Sequence, residues 1–136
     1  NALVLKRTIA TTPERLFDAW TKPEQISKWW DPSGRELVEC IIELKQGGIL
    51  RLVNAGQEDH PFEGHYREIV RPEKIIFDAM GAEGSVLFIK DGDKTHLNVT
   101  IKCSSKEQLE QFVLRGIGTG TALSIDNLEE FLKNNS

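Results

Sequence analysis

Six short β-rich segments, separated by turn-forming residues, constrain the fold of this chain more than any other feature of its sequence. The segments span residues 36–44, 48–54, 61–70, 74–80, 84–90 and 94–103. Asp91-Gly92, between the last two, is the strongest short-range signal for a β-hairpin, because glycine accepts the backbone conformation that tight hairpin turns need. Connections this short join only antiparallel neighbours. The sequence therefore predicts an antiparallel meander of six strands.

Two helical segments precede this meander. Leu3 to Ile9 alternates as a first strand, and Thr12-Pro13 then supplies an N-cap followed by proline at the first helical position. This signal predicts a helix from Glu14 to Trp20. Thr21-Lys22-Pro23-Glu24 has the form of a capping box and predicts a second, short helix. That helix is expected to end in Trp29-Trp30-Asp31-Pro32, because proline cannot continue it.

One long helix is predicted after the meander. Ser104-Ser105-Lys106-Glu107 has the form of another capping box, and apolar residues recur at helical spacing from about residue 105 to residue 133. The predicted order of elements is β-α-α-β6-α. This order indicates an α+β fold in which a curved, seven-stranded antiparallel sheet wraps around the long C-terminal helix.

Size, charge and cysteine content narrow the class of protein. A chain of 136 residues suits one domain, here 1–136. The net charge of −4, without a basic stripe, argues against a nucleic-acid partner, and no apolar run is long enough for membrane insertion. Cys40 and Cys103 are expected as free thiols in a reducing cytoplasm. No His/Cys cluster has metal-ligand spacing, so neither a metal nor a cofactor is predicted.

Three glycines interrupt the predicted C-terminal helix. Gly116, Gly118 and Gly120 lie within five residues, and each glycine costs about 1 kcal/mol relative to alanine inside a helix. Gly116 and Gly120 are expected on the face that meets the sheet. They either allow close helix–sheet packing or a kink, or keep space open for a ligand.

The turn positions predict where a binding cavity opens. In a meander, the loop 55–60, the Gly81–Gly84 loop and the segment 30–35 fall at one end of the sheet, and long loops tend to carry binding. The candidate ligand-binding residues are Trp20, Trp29, Trp30, Phe62, His65, Phe77, Met80, Phe88, Phe112, Gly116 and Gly120.

Two details of this set stay open at the level of sequence. One of the adjacent Trp29 and Trp30 is expected in the core and the other at the rim. His65 is a polar anchor if it points inward with its alternate neighbours, and is solvated if Phe62 and Tyr66 point inward instead. The histidines are scattered, and no serine neighbours a His and an Asp in sequence, so no catalytic residue is predicted.

Short motifs in order along nearly the whole chain resemble a known family. They are Thr12 to Trp20, Pro23-Glu24, Trp29-Trp30, Gly47-Gly48, Gly64 to Ile69, Pro72 to Phe77 and Thr95 to Thr100. On these motifs the chain resembles the START-like, or SRPBCC, superfamily, and within it bacterial homologues of the activator of the ninety-kilodalton heat-shock-protein ATPase. The resemblance implies a helix-grip fold with a cavity between sheet and helix. Its members include lipid and hormone carriers, polyketide cyclases and aromatases, and chaperone cofactors.

The leading functional expectation is the binding of a small, largely apolar molecule that is lipid-like, aromatic or polyketide-like. One alternative is a cyclase or aromatase, which needs a titratable group inside the cavity. The other is a chaperone-associated interaction module, which predicts a filled interior and an exposed apolar patch. The expected partners are accordingly the small molecule and, through the surface, a chaperone or a second copy of the chain.

Overall fold

Alternating apolar and polar residues build one antiparallel sheet from segments along most of the chain. The computed structural model of the protein describes residues 1–135. The strands are β1 (Ala2–Ile9), β2 (Glu39–Ile42), β3 (Ile49–Val53), β4 (Phe62–Val70), β5 (Lys74–Ala79), β6 (Ala82–Asp91) and β7 (Lys94–Lys102). Their spatial order is β1-β7-β6-β5-β4-β3-β2, and every neighbouring pair is antiparallel. The predicted meander is confirmed, with β1 added beside β7.

Turn chemistry and one irregularity shape the sheet. Asp91 pairs with Lys94, and Gly92 in the turn between them has a φ of 62°, so the predicted hairpin is confirmed. The pairing of β4 with β5 shifts register between Tyr66 and Glu68. Such a bulge bends a strand and increases its twist. The sheet is therefore curved rather than flat.

Four helices lie in the described part of the chain, and their N-termini are capped in different ways. They are α1 (Pro13–Thr21), α2 (Pro23–Trp29), α3 (Lys106–Leu114) and α4 (Ile117–Asn134). The Thr12 hydroxyl accepts from the Arg15 N–H at the start of α1, and the Ser105 hydroxyl accepts from the Gln108 N–H at the start of α3.

The start of α2 differs from the prediction. Its N-cap is Lys22, whose side chain makes no capping hydrogen bond, and the Thr21 hydroxyl instead donates to the Phe17 carbonyl within α1. The predicted capping box at Thr21 therefore does not form, because Thr21 is still part of the preceding helix.

The C-terminal helix also differs from the prediction. We expected one helix over about residues 105–133, with a kink at its glycines as one of the open alternatives, and the structure breaks it at Gly116, which has a φ of 72°. Glycine adopts this left-handed conformation at little steric cost, whereas a helix interior makes glycine expensive. The chain thus uses this glycine as a joint between α3 and α4. The longer piece, α4 with 18 residues, is still the longest element.

The core lies between the sheet and the covering helices. Its fully buried side chains come from α1, α2, α4 and several strands, among them Leu16, Phe17, Trp29, Leu97 and Leu128. A smaller apolar cluster joins α3 to the sheet through Phe112, Ala82 and Cys103. Both Cys40 and Cys103 are free thiols, as predicted. No helix within residues 1–135 has the length and apolar character needed to span a membrane.

Candidate functional site

A cavity of about 790 Å³ lies between the sheet and the helices. Strands β3 to β7 form one wall, and the opposite wall comes from α1, α2 and the junction of α3 with α4. Sites for small molecules commonly enclose roughly 300–1,000 Å³. The interior of this fold is thus hollow at a size that suits a small organic molecule.

Connected aromatic rings form much of the cavity wall. Trp20 packs edge-on against Trp29 with ring centroids 4.8 Å apart, and against Trp30 at 6.4 Å. The chain of rings continues from Trp30 to Phe62 at 5.2 Å and from Phe62 to Phe77 at 6.1 Å. Edge-on and tilted ring pairs at these distances are favourable and hold the rings in place. The wall is therefore preformed.

The two adjacent tryptophans occupy different environments. Trp29 is fully buried, and its indole N–H donates to the Ala19 carbonyl at 3.0 Å. Trp30 is half-buried and contacts Phe62 across the cavity wall. Trp29 thus belongs mainly to the core, while Trp30 shares its surface between the core and the cavity.

Glycines leave space along this wall. A methyl group at Gly84 would lie 2.4 Å from the Phe77 ring, so this glycine makes room for Phe77 on the neighbouring strand. A methyl group at Gly116 would meet nothing within 4 Å, and one at Gly120 would lie 3.6 Å from Pro32. Neither helical glycine is in close contact with the sheet, so tight helix–sheet packing does not explain them. The helix break explains Gly116, and at Gly120 an added methyl group would make only an ordinary contact.

Polar side chains gather at the rim of the cavity, on the β3–β4 loop and at the α3–α4 joint. The rim includes Gln57, Asp59 and His60 from the loop and Arg115 from the joint, all of them exposed. Trp30, Pro32 and Met80 border the same cavity. The loops that the meander predicted at one end of the sheet therefore do meet around this opening.

Gln108 connects the rim to the start of α3. Its side-chain amide donates to the carbonyls of Met80 and Gly81 at 3.3 and 3.2 Å, while its oxygen accepts from the Ser104 N–H. Met80 has a φ of 57°, which is uncommon for a residue with a long side chain. The β5–β6 turn is thus held against α3 by a side chain that apolar periodicity does not reveal.

The predicted ligand-binding residues divide into two groups. Those that border the cavity are Trp20, Trp29, Trp30, Phe62, Phe77, Met80, Phe112, Gly116 and Gly120. His65 and Phe88 do not. His65 is exposed because its neighbours Gly64 and Tyr66 take the buried face of β4. Phe88 is buried in the filled core, where its ring lies 5.9 Å from that of Phe17. The expectation that these two residues line the cavity is corrected accordingly.

Several polar residues of α4 were missed from the sequence. The Ser124 hydroxyl donates to the Trp30 carbonyl at 2.6 Å, and the Asn127 amide donates to the Asp31 carbonyl at 2.9 Å. These bonds attach α4 to the end of α2 beside the cavity. The available signal was a serine and an asparagine three residues apart on the apolar face of a helix.

One hydrogen-bond donor in the cavity wall has no partner. Trp20 is only 7% exposed, and its indole N–H finds no acceptor among residues 1–135. Most buried polar groups in proteins are hydrogen-bonded. The one other buried side-chain atom without a hydrogen-bond partner in residues 1–135 is Asp31 Oδ2, and both atoms are closed to solvent.

Burial favours the neutral form of two weakly acidic side chains, those of Tyr66 and Cys40. It raises the pKa of the Tyr66 hydroxyl well above its ordinary value, with a smaller contribution from Cys40, and it also raises the pKa of the Cys40 thiol. Neither residue borders the cavity. The titratable residues that do border it are Asp59, His60, Glu63 and Arg115, and all four are exposed.

A Thr–His–Asp contact does occur, but it lies outside the cavity. The Thr8 hydroxyl is 2.9 Å from His96 Nδ1, and His96 Nε2 is 2.8 Å from Asp91. Thr8 and His96 are directly opposite each other on β1 and β7, as ordinary cross-strand pairs are. Thr8 and Asp91 are exposed, whereas nucleophile activation relies on preorganised donors in a site that excludes water. We therefore assign this contact to the sheet surface.

A metal centre finds no support in the described residues, which contain no group of three or more His, Cys, Asp or Glu side chains able to hold an ion. The arrangement instead offers an apolar, aromatic interior and a polar rim. Chemically, this set of groups is suited to holding an uncharged organic molecule.

Solved structures of other proteins share this fold. A protein from Rhodobacter sphaeroides superposes with a TM-score of 0.89 at 22% identity, over 99% of this chain and 93% of that one. A protein from Nitrosomonas europaea gives 0.90 at 20% identity, over 98% and 95%. One from Mycobacterium smegmatis gives 0.85 at 16% identity, over 99% and 92%. At these identities the likeness establishes the fold alone.

The family assignment follows from the sequence match. A comparison with curated proteins finds no match. The family model described as Activator of Hsp90 ATPase homolog 1-like protein matches residues 10–133. Together with the curved sheet and the long C-terminal helix, this match confirms the helix-grip fold that the resemblance implied. The chain belongs to the Activator of Hsp90 ATPase homolog 1-like protein family.

Proposed function

We propose that the protein binds a small, largely apolar, aromatic or polyketide-like molecule in the cavity between the sheet and helices α3 and α4. The observation that carries this proposal is the aromatic-lined space of about 790 Å³. Protein interiors are close-packed, and voids larger than a water molecule are few. Apolar side chains that line a space open to water at its rim are unfavourably hydrated. A ligand that covers them removes that apolar surface from water.

The distribution of polar groups supports a defined orientation for the ligand. Phe62, Phe77 and Phe112 surround the interior, while Gln57 and Arg115 stand at the exposed rim. An apolar body inside the cavity and a polar end at the rim match this gradient. Each methylene group removed from water contributes roughly 0.8 kcal/mol, so a ring system of moderate size suffices for binding.

The cyclase or aromatase alternative has less support. Such an enzyme needs an acid or base within hydrogen-bond reach of the reacting atoms. Within the described lining, the titratable side chains are exposed residues, and Glu63 is already paired with Arg51. The hydroxyls of Thr121 and Ser124 donate to backbone carbonyls of Ile117 and Trp30. Binding without chemistry is therefore the function that we favour.

A role as a chaperone-associated interaction module is compatible with the family. That alternative predicts a filled interior and an exposed apolar patch. Its main support is the pair Val113 and Leu114 on α3, which are 57% and 81% exposed. The cavity leaves the interior unfilled, and we therefore rank this alternative second. The two free thiols support a reducing, cytoplasmic setting for either role.

A matched pair of glycine substitutions tests the proposal. Gly120 borders the cavity, whereas Gly118 does not, and a methyl group at Gly118 would make only an ordinary contact with Leu3 at 3.9 Å. Replacing either by leucine improves helix propensity equally. We expect Gly120→Leu to weaken binding of the neutral probe N-phenyl-1-naphthylamine about tenfold or more, and Gly118→Leu to leave it nearly unchanged.

Binding is measured by probe fluorescence, and urea denaturation of each variant checks that the fold is retained. Equal binding by the two variants, or no binding by the unsubstituted protein, contradicts the proposal. If the probe binds, a thermal-shift screen of aromatic and polyketide-like compounds then ranks ligands. A ligand that binds only the folded state raises its stability by RT ln(1 + [L]/Kd).

A further inference from the structure

Exposed apolar side chains are concentrated at the edge of the sheet that β2 forms. This strand is the last of the sheet and pairs with β3 on one side only. Four of the eleven large apolar side chains that are exposed within residues 1–135 lie on or beside it, namely Val38, Ile41, Leu44 and Ile49, which are 41–55% exposed. Concentrated apolar surface on a folded protein commonly marks an interaction site. This edge is therefore a candidate contact surface.

The backbone of β2 has hydrogen-bonding groups that point away from the sheet. The Glu43 N–H donates to the Ile49 carbonyl, which makes these two residues a hydrogen-bonded pair between β2 and β3. Such pairs alternate along an antiparallel ladder, so Ile41 also directs its backbone groups at β3. The N–H and C=O groups of Cys40 and Ile42 then point to the free side, where no strand of the described chain lies. An edge of this kind accepts a further strand.

The opposite edge of the sheet carries charges that β2 lacks. That edge is β1, which contains two adjacent cations, Lys6 and Arg7. Charged side chains on an edge strand, lysine above all, discourage pairing with another chain. The one charged residue within β2 is Glu39, and its Oε1 already contacts Arg51 at 2.8 Å. The two edges thus differ, and β2 is the one open to pairing.

We propose that β2 pairs with β2 of a second copy of the chain, antiparallel and about a two-fold axis at Ile42. A two-fold contact uses the same surface on both copies. In this register the free backbone groups of Ile42 bond to those of Ile42 in the second copy, and Cys40 lies opposite Leu44. The two sheets then join into one continuous sheet. This proposal is independent of the cavity and its ligand.

Charge complementarity identifies the second copy as the occupant and selects the register. Pairing about Ile42 brings Glu39 of each copy beside Lys45 of the other, and Lys45 makes no ion pair within residues 1–135. Pairing about Ile41 would instead set Glu39 opposite Glu43 of the second copy, and like charges directly opposite each other destabilise a strand pair. The edge therefore complements itself in both hydrogen bonds and charge.

The contact is expected to be weak. One strand of four residues on each copy buries less than the roughly 1,200–2,000 Å² of a standard protein–protein interface. The dimer should therefore form in proportion to concentration. Sedimentation velocity of the unsubstituted protein from about 10 μM to about 1 mM covers the range in which such contacts form. We expect a shift from monomer to dimer across this range, with no larger species.

A charge reversal tests the register without touching the core. Lys45 is exposed, and Lys45→Glu converts both attractions to Glu39 into repulsions. We expect it to weaken dimerisation about fivefold or more. The matched control is Lys90→Glu, which makes the same charge change on an exposed residue of β6, separated from β2 by three strands. Its dimerisation should equal that of the unsubstituted protein.

Cross-linking gives a second, geometric readout. In a background of Cys40→Ser and Cys103→Ser, Ile42→Cys supplies one thiol per chain at the proposed axis. Hydrogen-bonded pairs in antiparallel sheets have Cα atoms about 5.5 Å apart, which a disulfide spans. We expect mild oxidation to link Ile42→Cys into a covalent dimer. Ile41→Cys should link more slowly, because Ile41 lies opposite Glu43 and not opposite its own counterpart.

The outcomes decide the proposal directly. A dimer that Lys45→Glu weakens and Lys90→Glu does not, together with preferential linking of Ile42→Cys, supports it. A protein that stays monomeric up to the highest concentration overturns it. So does a dimer that Lys45→Glu leaves unchanged, or one in which Ile41→Cys links faster than Ile42→Cys.

Discussion

The interior contains two regions built from the same kinds of side chain, one packed and one hollow. In the packed region, Leu16, Phe17, Phe88 and Leu128 are at most 2% exposed and do not border the cavity. In the hollow region, rings such as Phe62 and Phe77 border a cavity of about 790 Å³. Aromatic content does not distinguish the two regions.

The difference lies in what covers each region. Helix α1 presents two large side chains, Leu16 and Phe17, to the packed region. The α3–α4 joint instead brings Gly116 and Gly120 to the hollow region, and neither has a side chain to place there. Two positions of the covering helices that face the cavity thus carry no side chain, whereas the helix above the packed region fills the space beneath it.

The largest expected effect comes from truncating equivalent rings in the two regions. Phe17→Ala should lower the free energy of unfolding by about 3–5 kcal/mol, as for other fully buried rings. Phe62→Ala should cost only about 1–2 kcal/mol, because Phe62 is half-buried and borders empty space. Urea denaturation measures both. Equal losses would break the distinction between packed and hollow regions.

Smaller changes in the free energy of unfolding, opposite in sign to each other, are expected when Gly116 and Gly118 are replaced by alanine. Gly116→Ala should destabilise by about 1–2 kcal/mol, because an L-residue resists the left-handed conformation seen at φ 72°. Gly118→Ala should stabilise by less than the roughly 1 kcal/mol typical of a helix interior, because Gly118 lies in the first turn of α4. Thermal or chemical denaturation compares them with the unsubstituted protein. Stabilisation by both substitutions would show that α3 and α4 form one continuous helix.

The smallest expected effect is a loss of unfolding free energy at alkaline pH, and it comes from Tyr66 in the packed region. The pKa of Tyr66 is raised in the folded state, so its stabilising contribution is complete below its ordinary value of about 10 and is lost as the pH rises beyond it. Between pH 9 and pH 11 this loss amounts to about 1 kcal/mol. Tyr66→Phe should remove that part of the pH dependence.

The test compares unfolding free energies of the two proteins at pH 9 and at pH 11. Tyr66 is the chain's one tyrosine, so no other phenol contributes to the difference. An identical decline in both proteins would show that the Tyr66 hydroxyl is accessible to water, and that this part of the interior is not packed.

Local chemistry made much of the fold predictable from sequence. The hairpin at Gly92 and the cap at Thr12 depend on residues close together in the chain, and both form as expected. The capping box predicted at Thr21 does not form, because Thr21 belongs to α1 and its hydroxyl donates to the Phe17 carbonyl there. Signals that compete for one residue are resolved only in the assembled structure.

The candidate site was predictable in part for the same reason. Phe62 and Phe77 were identified as aromatic residues at strand spacing, and both border the cavity. Phe88 was identified on the same ground, yet it lies in the filled core beside Phe17, nearer the Asp91-Gly92 turn. Alternation states which face a side chain takes, but it does not state which helix lies above it.

The sequence by itself determined the order of the six meander strands, their turns and the presence of a helix over the sheet, because these follow from backbone conformation and from periodicity within short segments. Only the tertiary structure decided where the C-terminal helix breaks, which aromatic rings meet empty space, and that the indole of Trp29 finds the Ala19 carbonyl while that of Trp20 finds no acceptor within residues 1–135. Those outcomes depend on distances between residues far apart in the chain, and such distances exist only after the sheet has curved and the helices have packed against it.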